Sequence, residues 1–157
     1  MPSSPADPPV TEFAGQLFFR LWRSSHTQTA AALGSIGLTT ALFSVLNYLL
    51  ARDAAIQQEI GAAIGIDPST MVALIDELES GGLAKRRPHP TDRRAREVVI
   101  TPKGRRAVER GRAMAREVED AVLQGLGSDE RRRLLGLLRK ALVSAPPQPL
   151  WRSDEDD

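Results

Sequence analysis

The chain has 157 residues, enough for one domain with an added arm, and a hydrophobic share of 41% that supports a folded core. Aromatics are only 4%, so that core is mainly Leu, Ile, Val and Ala, and the lack of cysteine excludes disulfides, thiolate metal sites and thiol redox sensing. The formal charge of +1 is unevenly spread: residues 84–106 hold nine basic and two acidic residues, net +7 against −6 for the remainder, which is the footprint of a polyanion-binding edge.

Residues 1–9 are rich in Pro and Ser and are expected to form a disordered tail. They lack a basic segment followed by an apolar run, so they do not read as a secretory signal. A first helix is expected over 11–33, where Phe13, Leu17, Phe18 and Leu21 recur at helical spacing. Residues 27–51 carry no formal charge, yet they include Gln28, Asn47, four threonines and the Gly34–Gly37 break. A membrane span would be more uniformly apolar, so two helices meeting at a turn and a cytoplasmic protein are expected. The second helix covers about 39–51, with Leu42, Val45, Leu46 and Leu49 on one face. A short third helix follows over 56–64 and ends at Gly65.

The fourth helix has the clearest start. Asp67 supplies a capping carboxylate, and Pro68 takes the first helical position, where its missing N–H costs nothing. Met71, Leu74, Ile75 and Leu78 fall at i, i+3, i+4 and i+7 and make one buried face. Gly81 and Gly82 stop the helix. Residues 83–87 and 96–100 then read as two strands of a hairpin joined by a basic loop. Thr101 and Pro102 open a long helix to about 126, and a last helix spans about 128–143. The remainder, 146–157, is Pro-rich, then acidic, and expected to be a flexible tail.

The fold class is therefore mainly α with a small β-hairpin: a winged helix-turn-helix unit over 38–103, and a helical dimerisation region from 10–37 and 104–145. The terminal helices carry apolar stripes with no local partner, and a second copy of the chain would bury them. An α-helix fits the major groove of B-DNA with its N-terminal residues at base edges. The buried face leaves Ser69, Thr70, Val72, Ala73 and Asp76 outward as candidate groove contacts. This helix has no Lys or Arg, so the phosphate-neutralising charge must come from the hairpin: Lys85, Arg86, Arg87, Arg93, Arg94 and Arg96. Arginines at a hairpin tip suit the minor groove, where negative potential is strongest when the groove is narrow.

Residues 56–104 resemble the DNA-binding core of the MarR family of bacterial regulators. The resemblance rests on Gln58 and Ile60, on DPSTM at 67–71, on LIDELESGGLAKRRP at 74–88, and most on Asp92, Arg94, Val98, Ile100 and Thr101 followed by Pro102, Lys103 and Gly104. It extends more loosely over 12–144. It implies a two-fold dimer, a palindromic operator in duplex DNA, and Arg94 in the minor groove. Many relatives carry a basic residue at the positions of Pro68 or Ala73, so readout here is expected to lean on shape.

On the first helix, Arg20, Arg23 and His26 are spaced i, i+3, i+6. The branch of the family that senses aromatic acids holds its ligand with an Arg and a His at the spacing of Arg20 and His26. By that resemblance a carboxylate would pair with Arg20, a ring hydroxyl with His26, and Phe19 and Trp22 would lie near the ring. No catalytic residue, metal ligand or cofactor is expected: the two histidines, His26 and His89, are far apart, and no phosphate-binding glycine loop is present. The alternative to a repressor is a winged-helix module that binds other proteins.

Overall fold

The computed structural model describes residues 13–92 and 95–145. The expected tails, 1–9 and 146–157, and the pair Arg93 and Arg94 lie outside the described residues. In chain order the elements are α1 (Ala14–Gly34), α2 (Thr40–Arg52), β1 (Ala54–Ile56), α3 (Gln57–Ile64), α4 (Pro68–Ser80), β2 (Ala84–Pro88), β3 (Arg96–Ile100), α5 (Pro102–Val122) and α6 (Ser128–Ser144). The helices fall where the apolar periodicity puts them. The long helix ends at Val122, four residues before the expected 126.

The sheet is the main departure from the sequence reading. It has three strands in the order β1-β3-β2, all antiparallel, because the short Ala-Ala-Ile run before α3 pairs with the far side of β3. The hairpin register runs from Ala84 opposite Ile100 to Pro88 opposite Arg96. Ile56 therefore serves twice, as the last residue of β1 and as the N-cap of α3.

One apolar cluster holds the winged unit together. Val45, Leu46 and Leu49 of α2, Ile60 of α3, Met71, Ile75 and Leu78 of α4, and Val98 of β3 are all buried in it. Leu33 of α1 and Val108 of α5 join the cluster, so the two long helices are rooted in it at one end. Two glycines are required by geometry. Gly65 ends α3 at φ 71, the left-handed conformation that lets the chain turn into α4. A Cβ on Gly104 would sit 2.0 Å from the Leu83 carbonyl oxygen, so only glycine lets α5 start against the turn that leads from α4 into β2.

The other ends of the long helices differ. No residue of α6 is buried, Phe13 just ahead of α1 is exposed, and α1 itself exposes Phe18 and Trp22. An apolar groove of about 620 Å³ runs between them, lined on one side by Phe18, Leu21 and Trp22 and on the other by Leu134, Leu135 and Leu138.

Candidate nucleic-acid interface

Asp67 builds the start of α4. Its Oδ1 accepts the Ser69 N–H at 3.0 Å, the Thr70 N–H at 2.9 Å and the Ser69 hydroxyl at 2.6 Å. These bonds satisfy donors that every helix start leaves open. They also hold the Asp67 carboxyl well below the usual carboxylate range, the Ser69 hydroxyl contributing most and Thr70 next. With Met71, Leu74, Ile75 and Leu78 buried, the outward face carries Ser69, Thr70, Val72, Ala73 and Asp76, all exposed as the periodicity requires.

The opposite end of α4 is tied to the rest of the unit. The Thr101 hydroxyl donates to the Gly82 carbonyl at 2.7 Å, and Lys103 Nζ donates to the Gly81 carbonyl at 2.8 Å. A lysine at these carbonyls is favoured by the negative end of the helix dipole. Lys103 is thus one basic residue of the charged stretch whose ammonium is used within the fold.

The wing is present, and its described arginines differ in their partners. Arg86 Nη1 donates to Asp76 Oδ1 at 2.6 Å and also to Glu79, and the Arg86 backbone N–H donates to Glu79 Oε1 at 2.6 Å. Burial pulls the Arg86 guanidinium toward its neutral form, but Asp76 and Glu79 together outweigh it and raise its pKa. Arg87 Nε donates at 2.5 Å to Glu97, whose side chain is buried in β3. Arg105 pairs with Asp53 at the end of α2. Two of the expected phosphate contacts, Arg86 and Arg87, are therefore matched to carboxylates of the same chain. Lys85 and Arg96 are exposed on the two strands. At the tip, His89 Nδ1 accepts the Asp92 N–H at 3.2 Å, and the Ala95 N–H closes the loop onto the Asp92 carbonyl at 3.1 Å. Beside the loop end of β3, Gln57, Gln58 and Arg96 line one cleft, which brings the start of α3 next to the hairpin.

The sequence reading missed Glu79. Its partner lies seven residues on, across the Gly81–Gly82 turn, where helical spacing gives no signal. The only trace is an acidic residue on a helix whose neighbouring strand is basic.

The expected effector residues separate into two groups. Phe19, Arg20 and Arg23 line a shared cleft of about 520 Å³ together with Ser24, Thr27 and Gln28. Trp22 and His26 stack on each other, ring centroids 4.8 Å apart at 16°. Trp22 also lines the apolar groove toward α6. Six helical steps turn a side chain by roughly 120°, which is why Arg20 and His26 do not share a face.

The sequence model of the MarR family matches residues 36–95, from just after α1 into the wing. A protein of Thauera aromatica assigned as the transcriptional regulator of the hcr operon is 32% identical over 132 residues, which cover 81% of this chain and 79% of that one. The chain belongs to the MarR family. This MarR-family protein is a DNA-binding transcriptional regulator and not an enzyme. Among solved structures, a mutant of MarR from E. coli complexed with operator DNA is similar to it in fold, with a TM-score of 0.71 at 24% identity over 82% of this chain and 92% of that one. BpsR of Bordetella bronchiseptica, whose DNA binding is regulated by 6-hydroxynicotinic acid, gives a TM-score of 0.69 at 30% identity over 82% of this chain and 97% of that one. Among the described residues of this MarR-family chain, no helix is long and apolar enough to cross a membrane.

Proposed function

We propose that this protein is a cytoplasmic homodimeric repressor that leaves a palindromic operator when it binds a small aromatic acid or phenol. The observation that carries the DNA part is α4 itself: an end-capped helix, apolar inward, with Ser69, Thr70, Val72, Ala73 and Asp76 presented outward beside a basic hairpin. In this reading α4 enters the major groove. Lys85 and Arg96, with Arg93 and Arg94 at the wing tip, neutralise phosphates and reach the minor groove. Two-fold pairing through α1, α5 and α6 sets two such helices roughly 34 Å apart, one turn of DNA.

The effector part is supported by Arg20 and Arg23 in one cleft with Phe19. Two guanidiniums suit a carboxylate, and an aromatic ring gives a planar ligand a stacking surface. His26, on the adjoining face, would meet a ring hydroxyl. Release requires that the ligand bind the DNA-incompetent arrangement of the dimer more tightly. The aromatic acid that regulates the Bordetella relative is of the same chemical class.

Fluorescence anisotropy on the DNA upstream of the protein's own gene tests the reading. Binding should weaken steeply with salt as counterions are released. Salt-insensitive or absent binding would favour a protein-interaction module instead. Arg94→Ala should lower affinity by about tenfold or more while the dimer stays folded, since groove contacts are worth about 1–3 kcal/mol each. Unchanged affinity would remove Arg94 from the groove. Arg20→Ala should keep operator binding and abolish ligand-induced release; a mutant that still responds would place the ligand elsewhere.

A further inference from the structure

Arg86 joins two elements that must meet DNA together. β2 is an edge strand, because the sheet order is β1-β3-β2. Arg86 faces Val98 across the ladder, and its N–H goes to Glu79 rather than to β3. An edge N–H would ordinarily be left to water; here a carboxylate of α4 takes it at 2.6 Å. The side chain adds a second link, since its Nη1 donates to both Asp76 and Glu79. Those carboxylates are three residues apart on neighbouring turns of α4, so one guanidinium reaches both.

We propose that Arg86 is a positioning residue for DNA binding, fixing the angle and distance between the recognition helix and the wing without itself contacting DNA. This rests on the DNA-binding reading. Contacts in two grooves add when the elements that make them are held rigidly in register; a wing free to move must be ordered at each encounter. The need is acute here, because α4 has no Lys or Arg of its own and carries Asp76, Glu77 and Glu79. Without the wing in place, the helix would meet the phosphates with its acidic side uncompensated.

The test uses the full-length protein, a duplex enriched by that protein from a random-sequence library, and a scrambled duplex of equal length. Arg86→Gln keeps the backbone link and removes the guanidinium. It should bind the enriched duplex about tenfold or more weaker and the scrambled duplex nearly as before. The slope of log affinity against log salt on the enriched duplex should fall by more than one, as several wing cations leave the groove together. Arg86→Lys should restore part of the loss. A uniform loss on both duplexes, with the slope lower by about one, would make Arg86 a direct phosphate contact and overturn the proposal. So would unchanged affinity in folded Arg86→Gln. If that variant fails to fold by circular dichroism, Asp76→Asn decides the matter by sign. Removing a negative charge from the DNA-facing helix should tighten binding on electrostatic grounds alone, whereas loss of an Arg86 anchor should weaken it on the enriched duplex. Tighter or unchanged binding overturns the proposal. A wild-type protein that enriches no duplex overturns it together with the DNA-binding reading, which the mutants alone would leave standing.

Discussion

Glu97 lies on the central strand of the sheet with only 6% of its surface exposed, and its carboxylate is met by the half-exposed Arg87 side chain. A buried charge is tolerated when it is paired and hydrogen-bonded, and costs most when one partner is removed. Arg87→Ala should therefore destabilise the fold by about 1–3 kcal/mol, toward the lower end because water reaches the arginine side of the pair. Adding Glu97→Gln to Arg87→Ala should recover part of the loss, since the group left behind is then uncharged. Urea midpoints at constant m-value would measure both steps; a neutral Arg87→Ala would return Arg87 to the set of free wing cations. In the sequence Arg86 and Arg87 read only as members of a positive run. Their partners lie seven and ten residues away across turns, and pairing across a turn is set by strand register, which composition does not reveal.

At the scale of elements, α4 was legible end to end because every local signal agreed: a capping aspartate, a proline in the first turn, an apolar stripe at helical spacing and a pair of glycines. β1 was not, because three residues of Ala-Ala-Ile have no alternation to detect and gain strand geometry only by pairing with Val99, Val98 and Glu97 of β3. The α4 cap carries its own prediction. Asp67 is held below its ordinary value of 3.8 by its hydrogen bonds to Ser69 and Thr70. A carboxyl with a depressed folded-state pKa stabilises the fold above its ordinary value, and that contribution drains away as pH falls through the folded-state value. Asp67→Ala should thus lower Tm at neutral pH and weaken DNA binding, because the first turn of α4, the helix proposed to enter the groove, frays. The Tm gap from wild type should narrow as pH is taken below 3.8, because the unfolded wild-type chain then takes up a proton that the capped carboxyl of the fold does not, until the folded group is protonated in its turn. A gap that stays constant through acid pH would mean that the carboxylate charge is not what holds the turn.

The whole chain is unequal about its core. The winged unit buries most of its large apolar residues, whereas α6 buries none and leaves Leu142 and Val143 71% and 88% exposed. Across the groove, Phe18 and Trp22 of α1 are more than half exposed as well. A contiguous apolar surface of this kind marks an interface, and in the proposed homodimer a second copy of the chain would supply matching faces by two-fold symmetry. Leu138 lines that groove and lies outside the core of the winged unit. Leu138→Arg should therefore shift the protein from dimer to monomer in size-exclusion chromatography with light scattering, and leave the helical content of the winged unit intact. Each monomer keeps a complete α4 and wing, so binding to a single half-site should persist. Binding to the full palindrome should fall by about two to four orders of magnitude, the gain that linking two binding events ordinarily provides. A Leu138→Arg protein that is monomeric yet holds the palindrome as tightly as wild type would show that the two half-sites are not read by one dimer, and the symmetric arrangement of the recognition helices would have to be given up.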